Sequence, residues 1–254
     1  MIKRIIFSYI LLLVMIVVAP TVVAGQDDDL DAAVKAVEQQ DFMTAYQLLK
    51  KLAEQGNAEA QYNLGILYRQ GKGVMRDTKL AVHWFKKAAE QGLAAAQYYL
   101  ANAYDVGEGV KKDPKLAVQW YQKAAKNGDP LAQTNLGVSY VRGEGVKQDI
   151  VLAYVWFSLA ASQGLTAALE NRNVLKQDMS DELVKNAQRL TREYFNRYVA
   201  PYQPQSNKLQ KSGHPPIPNA HQTMKNPPRP SNAPALGDPV TPKHNGPHGH
   251  PPLD

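Results

Sequence analysis

The sequence predicts an all-α fold, a right-handed α-solenoid of stacked antiparallel helix pairs, and three observations predict it. A pattern of 36 residues recurs three times in register, its apolar residues are spaced for two helices per copy, and the same Gly-x-Gly-Val turn separates those helices each time. Ala60, Ala96 and Ala132 open the copies, followed by Gln61, Gln97 and Gln133, by Leu64, Leu100 and Leu136, and by Tyr68, Tyr104 and Tyr140. Asp77, Asp113 and Asp149 superpose after the turns, as do Trp84, Trp120 and Trp156, then Gly56, Gly92, Gly128 and Gly164. A unit this short cannot bury its apolar face alone, so its copies must stack.

Residues 1–24 read as a cleavable signal peptide. Lys3 and Arg4 precede an apolar run from Ile5 to Val18 broken only by Ser8, and Pro20 and Val22-Val23-Ala24 lead to Gly25. The alternative is a retained anchor, since Ile5 to Ala24 is nearly long enough to span a bilayer. Either way the chain is expected to be exported, to the periplasm or beyond. It contains no Cys, which excludes lipoprotein modification, disulfides, thiolate metal sites and a cysteine nucleophile together.

Residues 25–56 form N-terminal capping helices, with Asp41 capping a segment in which Ala45, Leu48, Leu49, Leu52 and Ala53 recur helically. Three full repeats follow at 57–92, 93–128 and 129–164. In the middle one, Ala96, Leu100 and Tyr104 share one face of the first helix, and Gly107-Glu-Gly109-Val110 makes the turn. Asp113 then caps the second helix with Pro114 at its first position, and Ala117, Trp120, Tyr121, Ala124 and Ala125 form its apolar stripe. That stripe predicts tryptophans in the core. Gly128 ends the helix. Gly65, Ala101 and Gly137 sit where a first helix carries little side chain, which predicts a close helix crossing.

After Gly164 the repeat decays. Residues 165–200 are expected to cap the open end with one helix over Thr166–Lys176 and a longer one from Ser180 to about Tyr198, its stripe being Leu183, Ala187, Leu190 and Tyr194. Residues 201–254 hold 14 of the 17 prolines and five of the six histidines and lack apolar periodicity, the composition of a disordered tail. Of the formal charge of +6, the signal carries +2 and the tail +3, leaving the body at about +1. No concentrated basic face is expected on the solenoid, and nucleic acid is not an expected partner. Membrane contact is expected only through the signal segment or weakly through the basic tail.

The repeat resembles a known family. A-x-Y-x-L-G-x-x-Y, then G-x-G-V, then D-x-x-x-A-x-x-W-x-x-x-A-A-x-x-G is the pattern of the Sel-one-like repeats, relatives of the tetratricopeptide repeat. Residues 60 to 92 match it nearly throughout, from Ala60, Tyr62, Leu64, Gly65 and Tyr68 to Trp84, Ala88, Ala89 and Gly92; Ala101 and Thr134 depart from it in the later copies. A tetratricopeptide array shares Leu-Gly-x-x-Tyr but has a period of about 34. The resemblance implies an adaptor that holds other proteins together, in bacteria often in the envelope or in contact with a host, with no shared catalytic residues and no cofactor.

The residues point the same way. Acid–base catalysis needs two groups converging on one substrate, whereas Asp77, Asp113 and Asp149 fall one unit apart, each before a helix. There is no S-x-x-K motif. His244, His248 and His250, with His214 and His221, form the one metal-like constellation, but flexible ligands must be ordered on binding, so no built metal site is predicted. The alternative function is a carrier of a metal or other ligand through this tail. For a scaffold, the partner is expected in the concave groove lined by first helices. Positions that vary between copies are its candidate contacts: Asn63, Tyr99 and Asn135 in one series, Ile66, Asn102 and Val138 in another. Asparagine both donates and accepts, as an extended peptide backbone requires.

Overall fold

The computed structural model describes residues 28–203. All of them belong to one compact unit. The expected signal peptide and the tail histidines lie outside them. The described residues form helices and turns with no strand: α1 (28–38), α2 (Phe42–Glu54), α3 (Ala58–Gln70), α4 (Thr78–Glu90), α5 (Ala94–Val106), α6 (Pro114–Lys126), α7 (Pro130–Arg142), α8 (Ile150–Ser162), α9 (Thr166–Gln177) and α10 (Asp181–Tyr198). Helices α3 and α4, α5 and α6, and α7 and α8 pair as hairpins; each even helix also packs on the odd helix that follows it. The result is a solenoid with a first-helix layer and a second-helix layer.

Local chemistry sets the boundaries. Asp77, Asp113 and Asp149 accept from the backbone amides of Leu80, Leu116 and Leu152 at 2.9, 3.0 and 2.9 Å, which occupies three carboxylates as N-caps. Asp41 does the same for Thr44 at 3.1 Å. In the turn, Gly107 and Gly109 take φ of 81° and 75°, and a Cβ on Gly109 would run into the Thr78 carbonyl. The turn therefore rests directly on the start of the preceding second helix.

The close crossing predicted for the first helices is present. Phe85 and Phe157 are fully buried, and a Cβ on Gly65 or Gly137 would stand 2.6 Å from their rings. The copy with Ala101 carries Tyr121 in place of phenylalanine. Small residues such as Ala60, Ala96, Ala132, Ala88 and Ala124 fill the rest of the interface, so the helices approach closely with interior-like packing.

Two expectations need correction. The first is the buried stripe of α10, a helix that packs along α8 and reaches α6. Tyr194 and Tyr198 enclose Trp156 at centroid distances of 5.5 and 5.9 Å. This approach turns the buried stripe to Val184, Ala187, Tyr194 and Tyr198 and leaves Leu183 36% exposed. On α9 only Ala168 is fully buried, with Leu169 and Val174 exposed. The second is that only Trp156 is core; Trp84 and Trp120 are half-buried, with Lys87 and Lys123 lying 4.8 and 3.9 Å from their ring centroids. Packing also continues past residue 200, because Tyr202, in the short 3-10 turn Ala200–Tyr202, covers Gly128.

Candidate protein-interaction surface

The first-helix layer carries the candidate contacts, and burial divides them. Asn63, Asn102, Asn135 and Val138 are half-exposed, whereas Ile66 and Tyr99 are packed inside the layer, 9% and 6% exposed. Tyr99 is held by stacking on Phe85 at 5.2 Å and by Arg69 at 5.4 Å from its ring. Asn63 donates to the Glu59 carbonyl of its own helix at 3.0 Å.

Tyr99 and Asn102 line one shallow depression together with Arg69, Phe85 and Glu108. Its enclosed space is about 10 Å³, room for about one water, so it is a shallow dent in the surface and not a site that engulfs a small molecule or a side chain. Its rim is fixed by charge: Glu108 accepts from Arg69 Nε and from an Arg76 guanidinium nitrogen, both at 3.0 Å. Arg69 and Arg76 belong to the first repeat and Glu108 to the second, so the rim clamps two repeats.

Asn135 donates to the Tyr121 hydroxyl at 3.0 Å, and Asn102 also bonds it. Burial and then the neighbouring Asp105 carboxylate push the Tyr121 hydroxyl pKa well up, so it stays protonated. Asp105 is itself raised, first by burial. Nearby, Asp129 caps α7 by accepting from the Ala132 amide at 2.7 Å. Desolvation raises its pKa to about 7 against the two amides that favour its charged form. The sequence does not single out Arg69, Glu108 or Asp129, and it marks Tyr121 only as part of an apolar stripe. Asp129 was the most accessible of them to comparison between copies, because Asn57, Leu93 and Leu165 occupy the same place.

Charge is unevenly distributed between the two layers. Helices α2, α4 and α6 carry Lys50, Lys51, Lys79, Lys86, Lys87, Lys115, Lys123 and Lys126 against Glu54 and Glu90, a net of +6. Helices α3, α5 and α7 carry Arg69 and Arg142 against Glu59 and Asp105, a net of zero. The N-cap aspartates of these same second helices, Asp41, Asp77 and Asp113, reduce that excess to +3, and acidic α1 helps bring the body close to neutral. Among the described residues no group of His, Asp and Glu is placed to hold a metal ion, and no helix is long and apolar enough to cross a membrane.

The Sel1 repeat model matches residues 35–57, 58–93, 94–129 and 130–165. The chain belongs to the Sel1 repeat family. The matched units begin one residue later than those read from the sequence, and the N-terminal helices count as a partial repeat. Among solved structures the chain is similar to a protective antigen present in uropathogenic Escherichia coli strains that displays an SLR fold, at 36% identity and a TM-score of 0.59, over 68% of this chain and 37% of that one. A Sel1 repeat protein from Oxalobacter formigenes is 39% identical over 50% of this chain and 51% of its own, with a TM-score of 0.47. The chain thus spans between about a third and a half of the length of these relatives. No curated protein matches it. Sel1 repeat proteins are generally non-enzymatic scaffolds for protein–protein interaction.

Proposed function

We propose that this chain is a noncatalytic scaffold exported to the bacterial envelope or beyond, and that it holds a protein or peptide partner against its first-helix layer. The observation that carries the reading is the half-exposed polar row Asn63, Asn102 and Asn135, one residue per repeat, beside the depression framed by Tyr99, Arg69 and Glu108. The partner's backbone runs along the amides, and the shallow depression is a contact beside them. The signal-like first 24 residues and the likeness to a protective antigen support export.

Site-specific photo-crosslinking in the exporting cell tests this. A photoreactive residue at position 63, 102 or 138 is expected to capture one and the same partner, and one at position 86 or 119 on the second helices is not. Capture of that partner only from the second-helix positions would overturn the assignment of the face. Fractionation of the same cells reads export, which fails if the mature chain stays in the cytoplasm.

A further inference from the structure

We infer that the second-helix layer is a docking face for an anionic lipid surface, separate from the partner face on the first helices. The lysines of α2, α4 and α6 recur with the repeat: Lys51, Lys87 and Lys123 form one row, and Lys79 and Lys115 a second. Lys79, Lys87, Lys115 and Lys123 are exposed. Local neutralisation is slight. Lys51 is paired with Asp29 at 2.8 Å and Lys86 reaches Glu90 only at 3.9 Å, while among the described residues Lys79, Lys87, Lys115 and Lys123 have no ion pair within 4 Å.

The residue types distinguish a lipid surface from an acidic protein. Every cation on these three helices is lysine, a hydrated point charge on a flexible stem, whereas paired recognition of a protein carboxylate favours the planar fork of arginine. A bilayer presents headgroup charge without fixed geometry, and lysine meets that demand. The ammonium groups of Lys87 and Lys123 lie over the half-buried rings of Trp84 and Trp120, which sets each cation at an amphipathic ring of the kind that collects at a membrane interface. Charge complementarity is the driving term, so attachment is peripheral and salt-sensitive.

Flotation of the full chain with vesicles tests the inference, using phosphatidylcholine alone and phosphatidylcholine mixed with phosphatidylglycerol. The wild type is expected to float with the anionic vesicles at low salt and to be released at high salt. Replacing Lys79, Lys87, Lys115 and Lys123 together by Gln is expected to weaken binding at least about tenfold, while Arg at the same four positions retains it. Circular dichroism checks that the helices persist in both variants. Replacing the tail residues Lys208, Lys211, Lys225 and Lys243 by Gln should leave most of the binding. Absence of flotation overturns the proposal, as does undiminished binding by the second-helix Gln variant. Retention of heparin by this layer without any vesicle binding also overturns it, assigning the layer to a soluble polyanion.

Discussion

Gln163 donates its side-chain amide to Gln133 Oε1 at 2.8 Å, and Gln133 in turn donates to the Ala125 carbonyl at 3.1 Å. The relay repeats along the solenoid, with Gln91 donating to Gln61 at 2.8 Å and Asn127 to Gln97 at 3.1 Å. Each relay joins the end of one second helix, the next first helix and that helix's own partner. Gln133 is fully buried, so its hydrogen bonds cannot be replaced by water. Gln133→Leu is expected to cost about 1–3 kcal/mol, because it removes the acceptor of the Gln163 amide and one of two donors to the Ala125 carbonyl, which the Gly128 amide still serves. A double-mutant cycle with Gln163→Ala, read by chemical denaturation, should show non-additive losses.

The Tyr62 hydroxyl is buried and makes no well-formed hydrogen bond among the described residues, with the Tyr99 hydroxyl as a weak partner. One repeat on, Tyr98 is served by Asn135; the corresponding neighbour of Tyr62 is Tyr99, its ring 5.7 Å away. Tyr62→Phe is therefore expected to leave stability unchanged or raise it by up to about 1 kcal/mol. Tyr98→Phe should lower it by a similar amount. Paired denaturation curves compare the two.

Asp129 gives a pH dependence of definite sign. Its pKa in the folded chain is raised by burial to about 7, from an ordinary 3.8. Folding therefore favours the protonated carboxyl. That contribution is complete below about pH 4 and is lost as pH rises through about 7, to a total of at most about 4 kcal/mol. Asparagine keeps a capping oxygen without the charge. Melting of Asp129→Asn at pH 5 and pH 8 should show a smaller fall with pH than the wild type; an identical fall would refute the assignment.

Gly109 and Gly92 both hold a positive φ, 75° and 93°, but only at Gly109 does a backbone carbonyl, that of Thr78, fill the place of a Cβ. Gly92→Ala is expected to cost about 1 kcal/mol from backbone strain. Gly109→Ala carries that strain and also forces the turn off α4, so its cost should exceed about 2 kcal/mol. Thermal melts of the two variants separate steric from conformational cost.

The repeat made most of the helix boundaries legible, because the signals that start and stop each helix are local. Asp113 before Pro114, and Gly128 after Lys126, state where α6 begins and ends. The candidate contacts were only partly legible. Variation between copies marked Asn63, Asn102 and Asn135, which are half-exposed, but equally marked Tyr99 and Ile66, which are buried. Variability at one register position does not distinguish a surface residue from one whose buried neighbour varies with it.

The amino-acid order by itself determined the period, the caps, the Gly-x-Gly turns and the family, since each depends on residues a few positions apart repeated at a constant interval. The tertiary structure alone decided that α10 packs over Trp156 and that Arg69 and Arg76 meet Glu108 across two repeats. Those outcomes depend on which surfaces of distant segments fit together. That fit comes from packing and desolvation over the whole stack, and no local run of residues encodes it.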